Sequence, residues 1–125
     1  MQWIEFVSRN HHSNVRLICC PHSGAGASSY YPWKEHISKY AELAAIQLPG
    51  REARFNQPLL HHIDQVISGL LTERALIGDK PLILFGHSLG AIIMFELAKQ
   101  LKKLEFNNLL HFYLMRPKAG SNIPV

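Results

Sequence analysis

Apolar and polar positions along the chain fall into two patterns. Short, nearly continuous apolar runs stand between longer stretches in which apolar residues recur at the spacing of one helix face. The runs at 15–20, 82–85 and 109–115 predict strands, and a further short run occupies 43–48. Pro21 stops the first strand, and the run at 82–85 is apolar throughout, which is typical of a strand covered on both faces.

The longer stretches predict three helices. Their apolar stripes are Trp33, Ile37 and Tyr40 within 28–40; Leu60, Ile63, Val66, Ile67, Leu70 and Leu71 in the second stretch; and Ile92, Phe95 and Leu101, expected on the inner side, within 91–103. Gly78 and Asp79 are predicted to close the second helix, and Pro81 to open the element that follows it.

This order of elements predicts the fold class. Strands that alternate with helices imply a parallel sheet with helices on its faces, which is an α/β architecture. Residues 1–6 are predicted as one further strand, with His11–Asn14 as its turn. The length of 125 residues fits a single domain, 1–125, and we find no internal repeat or linker-like segment.

Composition excludes several classes of protein. The hydrophobic share of 47% suits a packed globular domain. Because no apolar run approaches the ~20 residues that span a bilayer, no membrane association is expected. The N-terminus lacks the basic-then-apolar layout of a signal peptide, which favours a cytoplasmic protein. Cys19 and Cys20 are adjacent and form no spaced pair, so neither a disulfide framework nor a metal site is expected. No cofactor is predicted.

The net charge of +4 raises the question of an anionic partner. The basic residues are scattered, and the one tight cluster is Lys99, Lys102 and Lys103. Those three fit the solvent face of a helix better than a phosphate-binding track, so no nucleic-acid binding is expected.

The candidate catalytic residue lies in the segment Gly86-His87-Ser88-Leu89-Gly90. It lies between an apolar strand and a helix, where the G-x-S-x-G nucleophile elbow of a hydrolase belongs. Ser88 is then the candidate nucleophile on a strained turn, and the Leu89 N–H, at the positive end of the helix, is a candidate oxyanion donor. The alternative is an ordinary Gly/Ser turn before a helix. His87 is interpreted as a packed turn residue and not as the base.

A second candidate segment is the glycine-rich loop 21–26, which follows the first predicted strand. A loop in this place supplies the second oxyanion donor of such sites. We assign that donor to the Ser23 N–H, with Gly24 as the nearest competitor. A flexible loop before a helix is the alternative. A dinucleotide-binding loop is disfavoured because G-x-G-x-x-G requires glycine where the chain has Ser29.

Taken together, these segments resemble type II thioesterases, the stand-alone editing enzymes of nonribosomal peptide and polyketide assembly lines. The order and spacing of the matching pieces are far more specific than the elbow alone. The resemblance covers about residues 15–103, and more weakly the strand from 109 onward. Its pieces are Pro21–Gly26, Tyr31, Trp33, Leu48–Arg51, Arg54, Pro81–Gly90 and Phe95–Ala98.

The resemblance implies a fold, a reaction and a partner. The fold is an α/β-hydrolase-like, mostly parallel sheet with flanking helices. The reaction is hydrolysis of an acyl thioester on the phosphopantetheine arm of an acyl or peptidyl carrier protein. Ser88 would be acylated, the N–H groups of Leu89 and Ser23 would hold the oxyanion, and water would release the acid. Carrier proteins of such systems tend to be acidic, which agrees with a basic chain.

The chain departs from that family after the elbow. Related enzymes are roughly twice as long, and their triad runs Ser, Asp, His along the chain. Here no Asp follows Ser88; the acids are Glu96 and Glu105, and the one histidine is His111. Neither Glu96 nor His111 matches the family's acid or base. The acids and histidines before the elbow are expected at the surface: Asp64, Asp79, His61 and His62.

We therefore expect the N-terminal part of a thioesterase domain, truncated after the strand that follows the nucleophile helix, with little or no activity by itself. The open, apolar edge at 109–115 is expected to self-associate or to pair with a partner fragment. One alternative is a fragment of a malonyl-type acyltransferase, although those enzymes usually carry Glu where this chain has Ala91. Another is a catalytically inert carrier-protein or acyl-binding module.

Overall fold

Five strands form one sheet in the computed structural model of the chain, which describes residues 3–10, 12–22, 24–54, 56, 62–78 and 80–115. Their order across the sheet is β1-β3-β2-β4-β5. The strands are β1 (Ile4–Ser8), β2 (Arg16–Cys20), β3 (Glu42–Ile46), β4 (Leu82–His87) and β5 (Leu109–Met115). Neighbours pair in parallel except β1, which runs antiparallel to β3. The predicted α/β class and mostly parallel sheet are confirmed.

The helices lie where the periodicity placed them, with two changes of detail. They are α1 (Lys34–Ile37), α2 (Ile63–Leu71), α3 (Arg74–Ile77) and α4 (Leu89–Lys103). The stretch predicted as one helix over 28–40 is a 3-10 helix, Ala27–Trp33, followed by the single turn of α1, and Tyr40 lies exposed beyond both. Pro32 stands inside this 3-10 helix and has no N–H to donate, which works against a continuous α-helix. A second 3-10 turn spans Glu52–Arg54.

The second predicted helix is interrupted. Its stripe residues Val66, Ile67 and Leu70 are buried in α2, as expected, but α2 ends at Leu71 and α3 begins at Arg74. Gly78 follows α3, whereas Leu60 and Asp79 lie outside the described residues.

The inner face of α4 differs from the prediction. Leu101 is buried, but Ile92 and Phe95 are 37% and 43% exposed. The buried residues are Gly90, Ile93, Met94, Leu97, Ala98 and Leu101. Gly90 lies so close to the end of β2 that it fixes which face of the helix meets the sheet. At about 100° per residue, Ile92 then points away from the sheet.

Side chains of the central strands alternate between two apolar clusters, as strand geometry requires. On one face, Ile18 and Leu84 pack with α2, α3 and α4. On the other face, Cys19 and Leu43 pack against the first 3-10 helix, with Phe85 partly buried beside them. Helical segments thus cover both faces of the sheet, and the candidate site lies at the C-terminal ends of β2 and β4.

A buried ion pair lies at the opposite ends of the strands and was not predicted from the sequence. Arg16 of β2 and Glu42 of β3 are register partners, and Arg16 Nη2 lies 2.7 Å from Glu42 Oε1. Lys80 Nζ lies 3.3 Å from Glu42 Oε2. The backbone N–H of Asn10 donates to Glu42 as well, at 3.1 Å. Glu42 therefore connects β2, β3 and the segment after β1.

Candidate active site

Ser88 occupies the single position between β4, which ends at His87, and α4, which begins at Leu89. Its backbone has φ 62° and ψ −117°, a conformation that L-residues other than glycine rarely adopt. Two hydrogen bonds hold the turn: the Ser88 N–H donates to the Met115 carbonyl at 2.9 Å, and the Ser88 carbonyl accepts from the Ala91 N–H at 2.9 Å. The turn is therefore as sharp as the sequence motif predicts.

The two glycines of the motif let the backbone segments pack closely. A Cβ on Gly86 would lie 2.3 Å from the Gly90 carbonyl oxygen, across the turn. A Cβ on Gly90 would lie 2.1 Å from the Cys20 carbonyl oxygen and 2.7 Å from that of Pro21. Side chains at either position would push α4 away from the ends of β4 and β2. The glycines thus fix the start of α4 against the strand that leads into the 21–26 loop.

The start of α4 presents backbone donors beside Ser88. The first N–H groups of an α-helix have no partner within the helix, and the helix dipole makes this end positive. Leu89 and Gly90 supply those first N–H groups in the 15-residue α4. The arrangement suits stabilisation of negative charge next to the Ser88 side chain.

The 21–26 loop reaches the same rim of the sheet. Pro21 is buried, and His22 is exposed with its ring edge-to-face against His87, at 5.5 Å between ring centroids. Gly24 has φ 84° and open space around the position of a Cβ. Ser23, the assigned second oxyanion donor, lies outside the described residues. The structure thus brings the described part of the loop to the Ser88 turn, and the role of Ser23 stays a prediction.

Two residues that the sequence reasoning did not single out hold the far end of this loop. The Ala27 N–H donates to Gln47 Oε1 at 2.8 Å, and the Ser28 N–H donates to Glu52 Oε1 at 2.9 Å. Gln47 is buried directly after β3. The available signal was the position of Glu52 beside Leu48–Arg51, one of the pieces that carry the resemblance.

Arg54, another residue of the resemblance, is buried under the same segment. Its Nη1 donates to the Gln47 carbonyl at 2.9 Å, and its guanidinium lies 4.2 Å from the centroid of the Trp3 ring. Burial lowers the pKa of Arg54, while the nearby Glu73 carboxylate acts to raise it. Arg54 thus connects the segment after β3 to the residue before β1.

His111 and Glu96, the histidine and one of the acids that follow the motif, do not lie beside Ser88. On β5, His111 pairs with Ile83, whereas Met115 pairs with His87; a separation of four positions corresponds to about 13 Å along a strand. Glu96 lies on α4 and pairs with Lys99 at 3.2 Å.

The other polar residues considered earlier are surface residues where they are described. Asp64 and His62 are exposed, as are Lys99, Lys102 and Lys103 on α4. Asp79 and His61 are among the residues that the structure leaves undescribed.

The two thiols at the end of β2 are buried and are poor nucleophiles. Burial raises the pKa of Cys19, and the neighbouring Cys20 adds to that effect; burial also raises the pKa of Cys20. Both residues therefore hold neutral thiols at physiological pH. Among the described residues there is no group of three or more side chains suited to hold a metal ion, and no helix is long and apolar enough to cross a membrane.

Comparison with known proteins identifies relatives of the chain. A family model described as "Thioesterase domain" matches residues 15–115. The gramicidin S biosynthesis protein GrsT of Aneurinibacillus migulanus is 34% identical over 113 residues, which are 90% of this chain and 44% of that protein. The medium-chain S-acyl fatty acid synthase thioesterase of Homo sapiens is 33% identical over 122 residues, 93% of this chain and 46% of its own length.

A solved structure agrees with both. The type II thioesterase BorB of the borrelidin biosynthetic cluster superposes with a TM-score of 0.78 and 32% identity, covering 85% of this chain and 43% of that one. The chain thus spans about half the length of the proteins it matches, and its sheet is that of an α/β-hydrolase-like thioesterase. By the domain match over residues 15–115, the chain belongs to the thioesterase family.

Proposed function

We propose that the chain carries the nucleophile part of a type II thioesterase site, which hydrolyses acyl thioesters on the phosphopantetheine arm of a carrier protein. The observation that carries this proposal is the backbone of Ser88, φ 62° and ψ −117°, between β4 and α4. Strained backbone is retained where function requires a particular exposure of a side chain. The family membership supports the reaction class, and relatives such as GrsT and BorB come from gramicidin S and borrelidin biosynthesis.

The reaction has two steps. The Ser88 oxygen attacks the thioester carbonyl carbon, the C–S bond breaks, and the phosphopantetheine thiol leaves with the proton that the serine hydroxyl gives up. Water then attacks the acyl-serine ester, which releases the carboxylic acid and restores the hydroxyl. In both steps the N–H groups of Leu89 and Ser23 stabilise the oxyanion.

The partner in this proposal is an acyl or peptidyl carrier protein. The chain has a net charge of +4, and an acidic carrier would be attracted to it over a distance of about 10 Å at moderate salt.

Without a further polypeptide, turnover is expected to be low. A serine hydroxyl needs an adjacent base to become a good nucleophile. His111 is held on β5 opposite Ile83, and the half-buried His87 packs against His22, which agrees with its interpretation as a turn residue. We therefore expect the chain to be one part of a thioesterase domain whose base lies on a further segment of polypeptide. The edge of β5 is where such a segment, or a second copy of the chain, would pair.

An acylation experiment tests the proposal. The chain is mixed with an acyl-phosphopantetheine thioester, and intact mass and peptide mass are followed with time. The expected result is slow acylation of Ser88 with little release of acid, and no acylation in Ser88→Ala. Release of acid at the rates of ordinary enzymes, about 1–10³ s⁻¹, would contradict the expectation of low turnover. Acyl transfer to a second thiol in place of water would favour the acyltransferase.

The inert acyl-binding module remains a second candidate, because neither His111 nor Glu96 lies beside Ser88. It predicts that the thioester binds the chain reversibly while Ser88 stays unmodified. Binding without acylation would therefore favour this candidate over the enzyme.

A further inference from the structure

Glu52 holds the beginning of the 3-10 helix that follows the 21–26 loop. Its two carboxylate oxygens receive separate hydrogen bonds from one residue: the Ser28 N–H donates to Oε1 at 2.9 Å, and the Ser28 hydroxyl donates to Oε2 at 2.5 Å. The residues are 24 positions apart in the sequence, so this contact connects the segment after β3 to the loop after β2.

Gly26 makes room for that carboxylate. A Cβ at Gly26 would lie 2.3 Å from the Glu52 carboxyl carbon and 2.5 Å from Oε2. The backbone of Gly26 is extended, with φ −123° and ψ −172°, a conformation open to any residue. The requirement for glycine is therefore the close approach of Glu52 and not the backbone conformation.

The backbone of Glu52 is itself unusual. Its φ of 41° places a non-glycine residue in the left-handed region. The surrounding turn holds it there: the Gly50 N–H donates to the Arg54 carbonyl at 2.9 Å, and the Arg54 N–H donates to the Arg51 carbonyl at 2.7 Å. A strained residue held by its surroundings is a reason to look for a function.

The other end of the loop is held by the Ser88 turn. Gly90 packs directly on the Cys20 and Pro21 carbonyls, and the buried Tyr30 hydroxyl donates to the Cys20 carbonyl at 3.0 Å. The loop is thus anchored to α4 at one end and, through Ser28, to Glu52 at the other. Gln47 also holds this second end, through the Ala27 N–H, so a change at Glu52 would remove one of the two contacts there while leaving the anchor at α4 in place.

We propose that Glu52 is a positioning residue for the loop that follows β2: it sets the position of the described residues 24–26 of that loop relative to Ser88 without touching the substrate. This inference rests on the proposed function, since it needs Ser88 to be the nucleophile. The contact between Glu52 and Ser28 connects two segments of the resemblance that are separate in the sequence: Pro21–Gly26, just before Ser28, and Leu48–Arg51, just before Glu52.

The first test measures the anchor itself. Amide hydrogen exchange of residues 24–28 is compared in the wild-type chain, Glu52→Ala, Glu52→Gln and Glu35→Ala. Glu35 is an exposed acid in the first turn of α1 and provides the matched control. We expect exchange to rise at least tenfold in Glu52→Ala, to rise less in Glu52→Gln, whose amide can still accept and donate at Ser28, and to stay unchanged in Glu35→Ala. Unchanged exchange in Glu52→Ala overturns the proposal.

The second test measures the effect on reactivity. A fluorophosphonate places its phosphonyl oxygen where the oxyanion would form, so the maximal rate of Ser88 labelling depends on the donors, whereas reagent binding does not. We expect Glu52→Ala to lower the maximal rate at least tenfold at unchanged half-saturating concentration and unchanged circular dichroism. Glu52→Gln should restore much of the rate, and Gly26→Ala, which displaces the carboxylate, should lower it.

The outcomes separate the two claims. If Glu52→Ala exchanges its amides faster but is labelled at the same rate as the wild type, the positioning role is overturned. Equal losses in Glu52→Ala and Glu35→Ala overturn it too, because a general charge effect would then explain both. A wild-type chain that is not labelled at Ser88 contradicts the proposed function; the exchange measurement then decides the anchor alone.

Discussion

The two edges of the sheet are built in different ways. At the β1 edge, the strand is short and antiparallel, its register shifts between Phe6 and Ser8, and all of its side chains are at least half-buried. The Arg9 guanidinium covers the Phe6 ring at 4.0 Å. Such bulges and charges are the devices by which natural sheets prevent further strands from adding.

The β5 edge also shows a register shift, between Leu82 and Ile83 of its neighbour β4, but no charged side chain covers it. Its seven residues contain no acid, Lys, Arg, Pro or Gly, and Leu110 and Tyr113 are 61% and 54% exposed. Beside it, a groove of about 330 Å³ lies between α4 and β5. The groove is lined by Phe95, Ala98, Lys99, Lys102, Phe106, Leu109 and Phe112.

The difference matters because the candidate nucleophile depends on the less protected edge. Met115, the last residue of β5, accepts the hydrogen bond of the Ser88 N–H. Any fraying of β5 would therefore loosen the strained turn. A polypeptide that pairs with β5 would stabilise the fold and the Ser88 turn together, whereas the β1 edge needs no such addition.

Removing the buried ion pair between Arg16 and Glu42 should have the largest effect on the free energy of unfolding. Glu42→Ala would remove the buried carboxylate that pairs with Arg16 and Lys80. Breaking such a buried pair costs about 3–5 kcal/mol of unfolding free energy. Urea unfolding measures the loss of unfolding free energy, with Glu35→Ala, a change at an exposed acid, as the control. A loss as small as that of the control would contradict a stabilising role for the ion pair.

Acid should weaken the same pair to a smaller degree. Burial acts to raise the pKa of Glu42, but the hydrogen bonds from Arg16, Asn10 and Lys80 outweigh it and hold the pKa below its ordinary value. The unfolded chain then binds the proton more readily, so the stabilisation is complete above about pH 4.3 and is lost as the pH falls through the folded pKa. Urea midpoints between pH 7 and 3 should fall more steeply in the wild type than in Glu42→Gln; parallel curves would be inconsistent with the lowered pKa.

A lysine at the β5 edge should reduce self-association. Two copies that pair through β5 would bring like charges together in Leu110→Lys, so the association constant should fall at least about tenfold, equivalent to about 1.4 kcal/mol. Sedimentation velocity measures it. The matched change on the other edge, Ser8→Lys, should leave association unchanged. If both variants associate to the same extent, or if the wild type is a stable monomer, the β5 edge is no more prone to pairing than the β1 edge.

Relief of strain at the turn should give the smallest effect. In Ser88→Gly the backbone conformation becomes readily allowed, so stability should rise by about 1 kcal/mol, the lower part of the range for one strained residue. Ser88→Ala keeps the Cβ and should change stability by less than about 0.5 kcal/mol. Thermal unfolding of the two variants provides the comparison, and equal stabilities would argue against strain at Ser88.

Local signals in the sequence predicted the Ser88 turn well. Glycines at 86 and 90 between an apolar run and a helical stretch specify a sharp turn, because only glycine permits those approaches. The face of α4 was assigned wrongly for a related reason. Ile92, Ile93, Met94 and Phe95 are all apolar, so periodicity alone could not select the buried side, which the contact of Gly90 with β2 decides.

Contacts between distant segments could not be predicted. The pairing of Arg16 with Glu42 depends on the register of β2 against β3, and the contact of Glu52 with Ser28 depends on where two loops meet. Neither has a local pattern. In the sequence these residues look like ordinary surface charges.

Fluorophosphonate labelling of the folded wild-type chain tests the central claim most directly, with Ser88→Ala and the urea-unfolded chain as controls. One slowly formed phosphonyl adduct is expected, located by peptide mass at Ser88 and absent from both controls. No adduct, or an adduct on another residue that persists in Ser88→Ala, would contradict it.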